Sequence, residues 1–187
     1  MSQQFIPGTV LSYDGVDGGM LAAFRPMLAA TDGLSLGQIC AITGLEPAVI
    51  QNWVKRGFVP HPVCKKYGSR HLARILLIVS MRDCMRIEQV GELLRLVNGD
   101  ADDESDDIVS EERLYDYLCE IIRRTDGIPS EQEATRRIAE IIADYRAPDE
   151  RAYRRLSQAL QVMLYAYTAG QLKQQAERLY AQMSEKN

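Results

Sequence analysis

The sequence contains no run of about 18 consecutive apolar residues, so no transmembrane helix is expected. Its N-terminus, MSQQFIPGTVLSYDG, lacks a basic start followed by an apolar stretch, which excludes a secretory signal at that place. The four cysteines, Cys40, Cys64, Cys84 and Cys119, form no CxxC pair. Together these absences predict reduced thiols and a cytoplasmic location. Histidine is scarce, with His61 and His71 alone. Cys64 follows His61 closely, but no further ligands accompany the pair, and a structural zinc site takes a full tetrahedral set. Cys119 lies between Leu118 and Ile121 and reads as core. No metal and no cofactor are expected. No Walker loop, GxGxxG, GxSxG or HExxH is present, and no catalytic pairing stands out, so the chain is not expected to be an enzyme.

What is present is ordinary in amount and uneven in placement. The 187 residues are 46% apolar and 26% charged, as in a globular protein of one large or two small domains. The net charge of −4 is a sum of unlike halves. Residues 1–99 carry 10 basic and 7 acidic side chains (+3), and residues 100–187 carry 12 and 19 (−7). Within 47–86 the basic residues Lys55, Arg56, Lys65, Lys66, Arg70, Arg74, Arg82 and Arg86 face one acid, Asp83. Such a local excess points to a polyanion partner or to a solvated basic surface.

Turn formers crowd residues 1–33, which predicts an irregular arm with at most a short helix near Met20–Phe24, limited by Pro26. From Leu34 the periodicity is helical. Ser35 caps a first helix with Ile39, Ile42 and Leu45 inward, and Thr43-Gly44-Leu45 forms a tight turn. Pro47 opens a second helix, 47–57, with Ile50, Trp53 and Val54 inward. Spacing makes Trp53 core. This is a helix-turn-helix pattern. Pro60 and Pro62 forbid helix in 58–68, where Phe58-Val59 and Val63-Cys64 are expected to pair as a small β-hairpin. Ser69 is expected to cap a third helix with Leu72, Ile75, Leu76 and Val79 inward. A fourth runs from Ile87 and closes at Asn98-Gly99.

Residues 100–107, DADDESDD, hold six acids in eight positions. They lack the order of a calcium loop, and are expected to be a solvated linker that repels DNA. Three helical patterns follow: 110–124, one from Ser130 with a capping box at Glu133, and a long one over 149–183. Along the last, Tyr153, Leu156, Leu160, Met163 and Tyr167 form one apolar stripe, and Leu172, Ala176, Leu179 and Met183 another. The change of phase near Gly170 predicts a kink or a helix that contacts two surfaces. The expected organisation is therefore an arm (1–33), a first domain (34–99), an acidic linker (100–109) and a C-terminal helical domain (110–187). The fold class is mainly all-α.

Over residues 34–97 the order of helix, glycine turn, helix, Arg56-Gly57-Phe58-Val59-Pro60, Lys65-Lys66-Tyr67 and two further helices resembles the DNA-binding domain of MerR-type regulators. Arg82 to Val90 is similar to that family's link into its fourth helix. More narrowly, the wording around Gln51-Asn52-Trp53, Pro60-His61-Pro62 and Lys65-Lys66-Tyr67 is similar to a bacterial family catalogued only as a domain of unknown function. The resemblance to MerR-type regulators implies a winged helix-turn-helix with a β-hairpin wing at 58–68, followed by a C-terminal helical bundle. One departure stands out: Gln51 and Asn52 occupy positions where the MerR pattern has Arg and Tyr.

In such a domain the outward face of the second helix, Ala48, Gln51, Asn52, Lys55 and Arg56, enters the major groove. Gln and Asn suit adenine and Lys suits guanine. Lys65, Lys66 and Arg70 then contact phosphates. Tyr67 either donates to a phosphate or plugs the wing onto the third helix. The expected function is sequence-specific binding of double-stranded DNA by a transcriptional regulator. It would act as a homodimer, with the second stripe of the last helix buried against its own copy. Two alternatives stand beside this. Both stripes can close one intramolecular bundle. The chain can also be a protein-interaction adaptor on a MerR-like fold, as its acidic balance and Gln51 suggest.

Overall fold

The computed structural model describes residues 6–11, 20–103 and 105–184. Among these residues lie a 3-10 turn, Met20–Phe24, and eight α-helices. They are α1 (Arg25–Thr31), α2 (Leu36–Thr43), α3 (Pro47–Lys55), α4 (Ser69–Met81), α5 (Ile87–Asn98), α6 (Glu111–Arg123), α7 (Glu131–Ile141) and α8 (Glu150–Ser184). The fold is mainly helical, and no strand forms among the described residues.

Local chemistry explains the boundaries. The Ser35 hydroxyl accepts from Gln38 N–H while the Gln38 side chain accepts from Ser35 N–H, so two of the open donors at the start of α2 are satisfied. Gly44 ends α2 with φ 69°, a left-handed conformation that a side chain would disfavour. Ser130 and Glu133 make the same reciprocal cap on α7. Pro26 lies in the first turn of α1, where a missing N–H is harmless, so it opens that helix rather than limiting one. The cap of α4 is Gly68, one residue before the expected Ser69. Its N–H donates to His71 Nδ1 at 3.1 Å, while the Ser69 hydroxyl turns to Glu112 at 2.7 Å.

Helix α4 is the spine. Every residue from Leu72 to Ile78 is buried, and α4 packs on α2, α5, α6 and α8. One continuous apolar cluster runs from Ile6 and Ile39 through Leu76 to Ile138 and Met163. The segments 34–99 and 110–187 therefore share a core across the acidic run. The described segment 6–11 of the arm is also docked. Val10 N–H donates to Ile42 O at 3.0 Å, and the buried Tyr115 hydroxyl donates to Pro7 O at 2.6 Å. Gly8 has φ +76°, and a Cβ there would stand 2.5 Å from the Leu76 carbonyl oxygen, so this approach requires glycine.

Helix α8 is one unbroken helix of 35 residues, about 52 Å long at 1.5 Å per residue. Its first stripe enters the bundle: Leu156, Leu160 and Met163 are fully buried. Gly170 seats against Asp83, and Gln174 donates to Asp83 Oδ2 at 2.6 Å. From Gln171 to Ser184 only Gln174 is better than half-covered; all the others are exposed. The change of phase at Gly170 thus marks where the bundle ends. Among the described residues nothing closes the second stripe, since Leu179 and Met183 are 56% and 69% exposed.

Candidate nucleic-acid interface

Helices α2 and α3 are joined by Gly44-Leu45-Glu46, the expected two-helix arrangement. Ile50 and Trp53 anchor α3 in the core, with Ile50 fully buried and Trp53 7% exposed. That burial turns Ala48, Gln51, Asn52 and Lys55 outward, and all four are exposed. Arg56 follows them at the C-cap. Its guanidinium lies 4.7 Å from the Phe58 ring centroid and donates to Glu88 Oε1 at 2.7 Å. This contact holds the Glu88 carboxyl below its ordinary range.

The segment after α3 departs from the expected hairpin. Phe58-Val59 does not pair with Val63-Cys64, and Val59 instead packs into the core. The turn lies four residues later than Pro60. Val63 bridges Lys66, with Lys66 N–H donating to Val63 O at 2.8 Å. The two central residues, Cys64 and Lys65, both have positive φ, 50° and 62°. This is the backbone of a tight hairpin turn that usually carries Asn-Gly, here built from two residues with side chains. Pairing then switches to a single bridge between Tyr67 and Leu34. A strand cannot extend through Pro60 and Pro62, which lack the N–H groups a ladder needs. The result is a short projecting turn with Val63, Cys64 and Lys65 exposed and Lys66 half-covered.

Tyr67 is 4% exposed, with its ring edge-on to His71. Burial pushes its hydroxyl above the ordinary range. Of the two roles expected for it, the plug onto the third long helix is the one this placement fits. His71 makes two bonds of opposite sense: Nδ1 accepts from Gly68 N–H, and Nε2 reaches His61 O at 3.0 Å. It ties the turn to the start of α4.

The acidic segment is solvated in part, with Asp100, Asp102, Asp103 and Asp106 exposed, and tied down in part. Ala101 and Val109 are buried, and Ile108 N–H donates to Val97 O. Two of its carboxylates, those of Asp102 and Asp107, reach the basic segment. Asp102 Oδ1 accepts from His61 N–H at 2.9 Å, and Oδ2 lies 3.1 Å from His61 Nδ1, which keep the Asp102 carboxyl below its ordinary range. Glu111, the first residue of α6, is fully buried between two arginines. Its Oε1 accepts from Arg74 Nη1 and its Oε2 from Arg70 Nε, both at 2.9 Å. Arg74, 2% exposed, also donates from Nε to Phe58 O at 2.8 Å. Arg70 further reaches Asp107 at 3.7 Å. Asp107 has one buried oxygen without a partner. Burial first, then the neighbouring Glu111 carboxylate, pushes its carboxyl up to about 7.

The nine residues expected at the interface thus divide. Ala48, Gln51, Asn52, Lys55 and Lys65 are exposed, and Lys66 is partly so. Arg56 is exposed but paired with Glu88. Tyr67 and Arg70 are turned inward, Arg70 because Glu111 and Asp107 hold it. The apparent excess of seven positive charges in 47–86 is reduced from within the chain. The sequence does contain a signal for this: the basic block 47–86 is followed, after thirteen residues, by the acidic block 100–107, and opposite charges brought close attract.

No helix is long and apolar enough to cross a membrane among the described residues. Among those residues, too, no three of His, Cys, Asp and Glu gather as a metal-ligand group. His61 turns to Asp102 rather than joining Cys64 in a ligand set.

No solved structure matches the chain. The Uncharacterized protein YkrK of Bacillus subtilis (strain 168) is 28% identical over 120 residues, covering 60% of this chain and 52% of that protein. The chain therefore spans about half the length of the curated relative it matches. Neither this match nor the next bears on the resemblance to MerR-type regulators. Residues 34–118, from the bridge at Leu34 through the acidic segment and into α6, match the family model of a domain of unknown function (DUF1836), in keeping with the narrower resemblance read from the sequence.

Proposed function

We propose that the chain is a cytoplasmic DNA-binding regulator that reads duplex DNA with α3 and acts as a homodimer. In this reading α2 and α3 are the helix-turn-helix, and 58–68 is a short wing of the MerR-like kind. The observation that carries it is the outward face of α3. Gln51, Asn52 and Lys55 are exposed, and their side chains take no hydrogen bond or ion pair among the described residues. A rigid helix anchored by Ile50 and Trp53 with such a face suits base-edge contacts in a major groove. Lys65 and Lys66 on the projecting turn suit phosphates. The second half of α8, with Leu172, Leu179, Tyr180 and Met183 exposed, supports a symmetric contact.

The test is fluorescence anisotropy with random duplex DNA at several salt concentrations, followed by selection of a preferred site. Log K is expected to fall linearly with log salt. Lys65→Ala/Lys66→Ala is expected to reduce the slope by about 1.8, for two phosphates at roughly 0.9 each. Single changes of Gln51, Asn52 or Lys55 to Ala are expected to weaken the selected site by about 1–3 kcal/mol without unfolding. No binding at the lowest salt refutes the proposal. It would favour an adaptor that docks a protein, a reading supported by the capture of Arg70 and Arg74 inside the molecule.

A further inference from the structure

We infer that the acidic segment carries a proton-operated latch, in which one proton shared between Asp107 and Glu111 holds the Asp107 end of the segment against α4 and its loss lets that end open. The two carboxyls compete for the same cations. Glu111 takes Arg74 and Arg70 at 2.9 Å each. Asp107 meets Arg70 only at 3.7 Å. Its side chain is 9% exposed, and its Oδ1 is buried without a hydrogen-bond partner. The Glu111 carboxyl stands within hydrogen-bonding reach of the Asp107 carboxyl. A buried carboxylate beside a second carboxylate is costly twice over, through lost hydration and through like charge. A proton on Asp107 removes both costs. It cancels one charge and turns an unpartnered acceptor into a donor to Glu111. The folded carboxyl, pushed up to about 7, agrees with that arrangement.

The charged groups facing Asp107 are Arg70 and Arg74 from α4, Glu111 from α6 and Asp106 from its own segment. The base of the segment is fastened to the end of α5, where Asn98 Nδ2 donates to Val109 O and Ile108 N–H to Val97 O. Its hold on the basic segment rests on Asp102 with His61, the Asp103 carbonyl with Arg70, and Asp107 with Arg70. When Asp107 ionises, its proton passes to water and the carboxylate is relieved by turning outward to solvent. That movement pulls on the adjacent Ile108 N–H and on both contacts to Arg70. Opening therefore releases a proton wherever the closed latch holds one and the open latch does not. That window runs from about pH 4 to about pH 7, and opening becomes easier as pH rises through it.

The latch acts whether or not α3 reads DNA, and it is tested on the full chain by NMR. The Asp107 side-chain carboxyl carbon is expected to titrate near pH 7, against about 4 for an ordinary aspartate. Amide exchange at Ile108 is expected to be faster than at the buried α4 residues Leu76 and Ile78, so that it reports local opening. Its protection factor should fall about tenfold or more between pH 5 and pH 7 and level off above. Asp107→Asn, whose amide can donate to Glu111 without ionising, should make that protection independent of pH. Histidines as a class change charge in this range, so His61→Asn is the control for the Asp102 contact and Asp106→Asn the control for a nearby charge. Both should keep the wild-type profile. The carbon titration needs no variant and stands even if one fails to fold. Titration of Asp107 near pH 4, a flat wild-type profile at Ile108, exchange at Ile108 no faster than in α4, a wild-type profile in Asp107→Asn, or loss of the profile in either control would each overturn the latch.

Discussion

Glu111 is the anion on which the centre of the molecule depends. Its carboxylate is fully buried and accepts from both Arg74 and Arg70. Glu111→Leu preserves bulk and removes the charge. It leaves the Arg74 guanidinium 2% exposed with only the Phe58 carbonyl as a bonded partner. Breaking a buried pair by removing one partner costs about 3–5 kcal/mol. A domain of this size loses about 2–4 °C of Tm per kcal/mol, so a fall of about 6–20 °C is expected. The double change Arg74→Met/Glu111→Leu should behave differently. It removes both charges, and Arg70 keeps Asp107 and the Asp103 carbonyl. What remains is the unpaired Phe58 carbonyl, about 1–2 kcal/mol. Thermal and urea denaturation followed by circular dichroism, on the two single variants and the double, give the cycle. If the double variant is as unstable as Glu111→Leu, the loss is not that of a stranded charge and the reasoning fails.

Asp107 gives the opposite sign. Its folded carboxyl is raised to about 7, so between about pH 4 and 7 the folded state holds a proton that the unfolded chain releases. Its contribution to stability therefore falls as pH rises through that window. Asp107→Asn should match the wild type below about pH 4 and be more stable by about 1–3 kcal/mol at pH 8; no gain in stability at pH 8 would refute this. The tail of α8 is tested by sedimentation. The full chain should be a dimer at tens of micromolar, and a chain ending at residue 168 a weaker dimer or monomer; a monomeric full chain would sink both the interface and a two-fold operator.

Much of the helical order is legible in single residues. Ser35, Pro47, Ser130 with Glu133, and Gly99 mark helix ends by local chemistry that needs no tertiary partner. The outward face of α3 follows from the spacing of Ile50 and Trp53. The misses have a common cause, which is contact between segments distant in sequence. DADDESDD looks fit only for water until Arg70, Arg74 and His61 are placed beside it. Arg70 looks like a phosphate ligand until Glu111 arrives from 41 positions away. Pro60-His61-Pro62 suggests a turn, yet the reversal falls at Cys64-Lys65, where neither residue type advertises positive φ. Pro26 has two legitimate readings, helix limit or first-turn residue, and the residues after it decide. The apolar tail of α8 was visible as a second stripe.

The bond from Tyr115 to the Pro7 carbonyl joins residues 108 positions apart. Chains are synthesised at about 5–20 residues per second. Residue 7 therefore waits on the order of 5–20 s for the hydroxyl that fixes it, and longer while α6 clears the ribosome. During that interval α2 and α4 can form, but the arm that crosses them is held at one side only. The segment at Pro7 is thus fixed only after α2 to α5, which lie between the two partners, have been made.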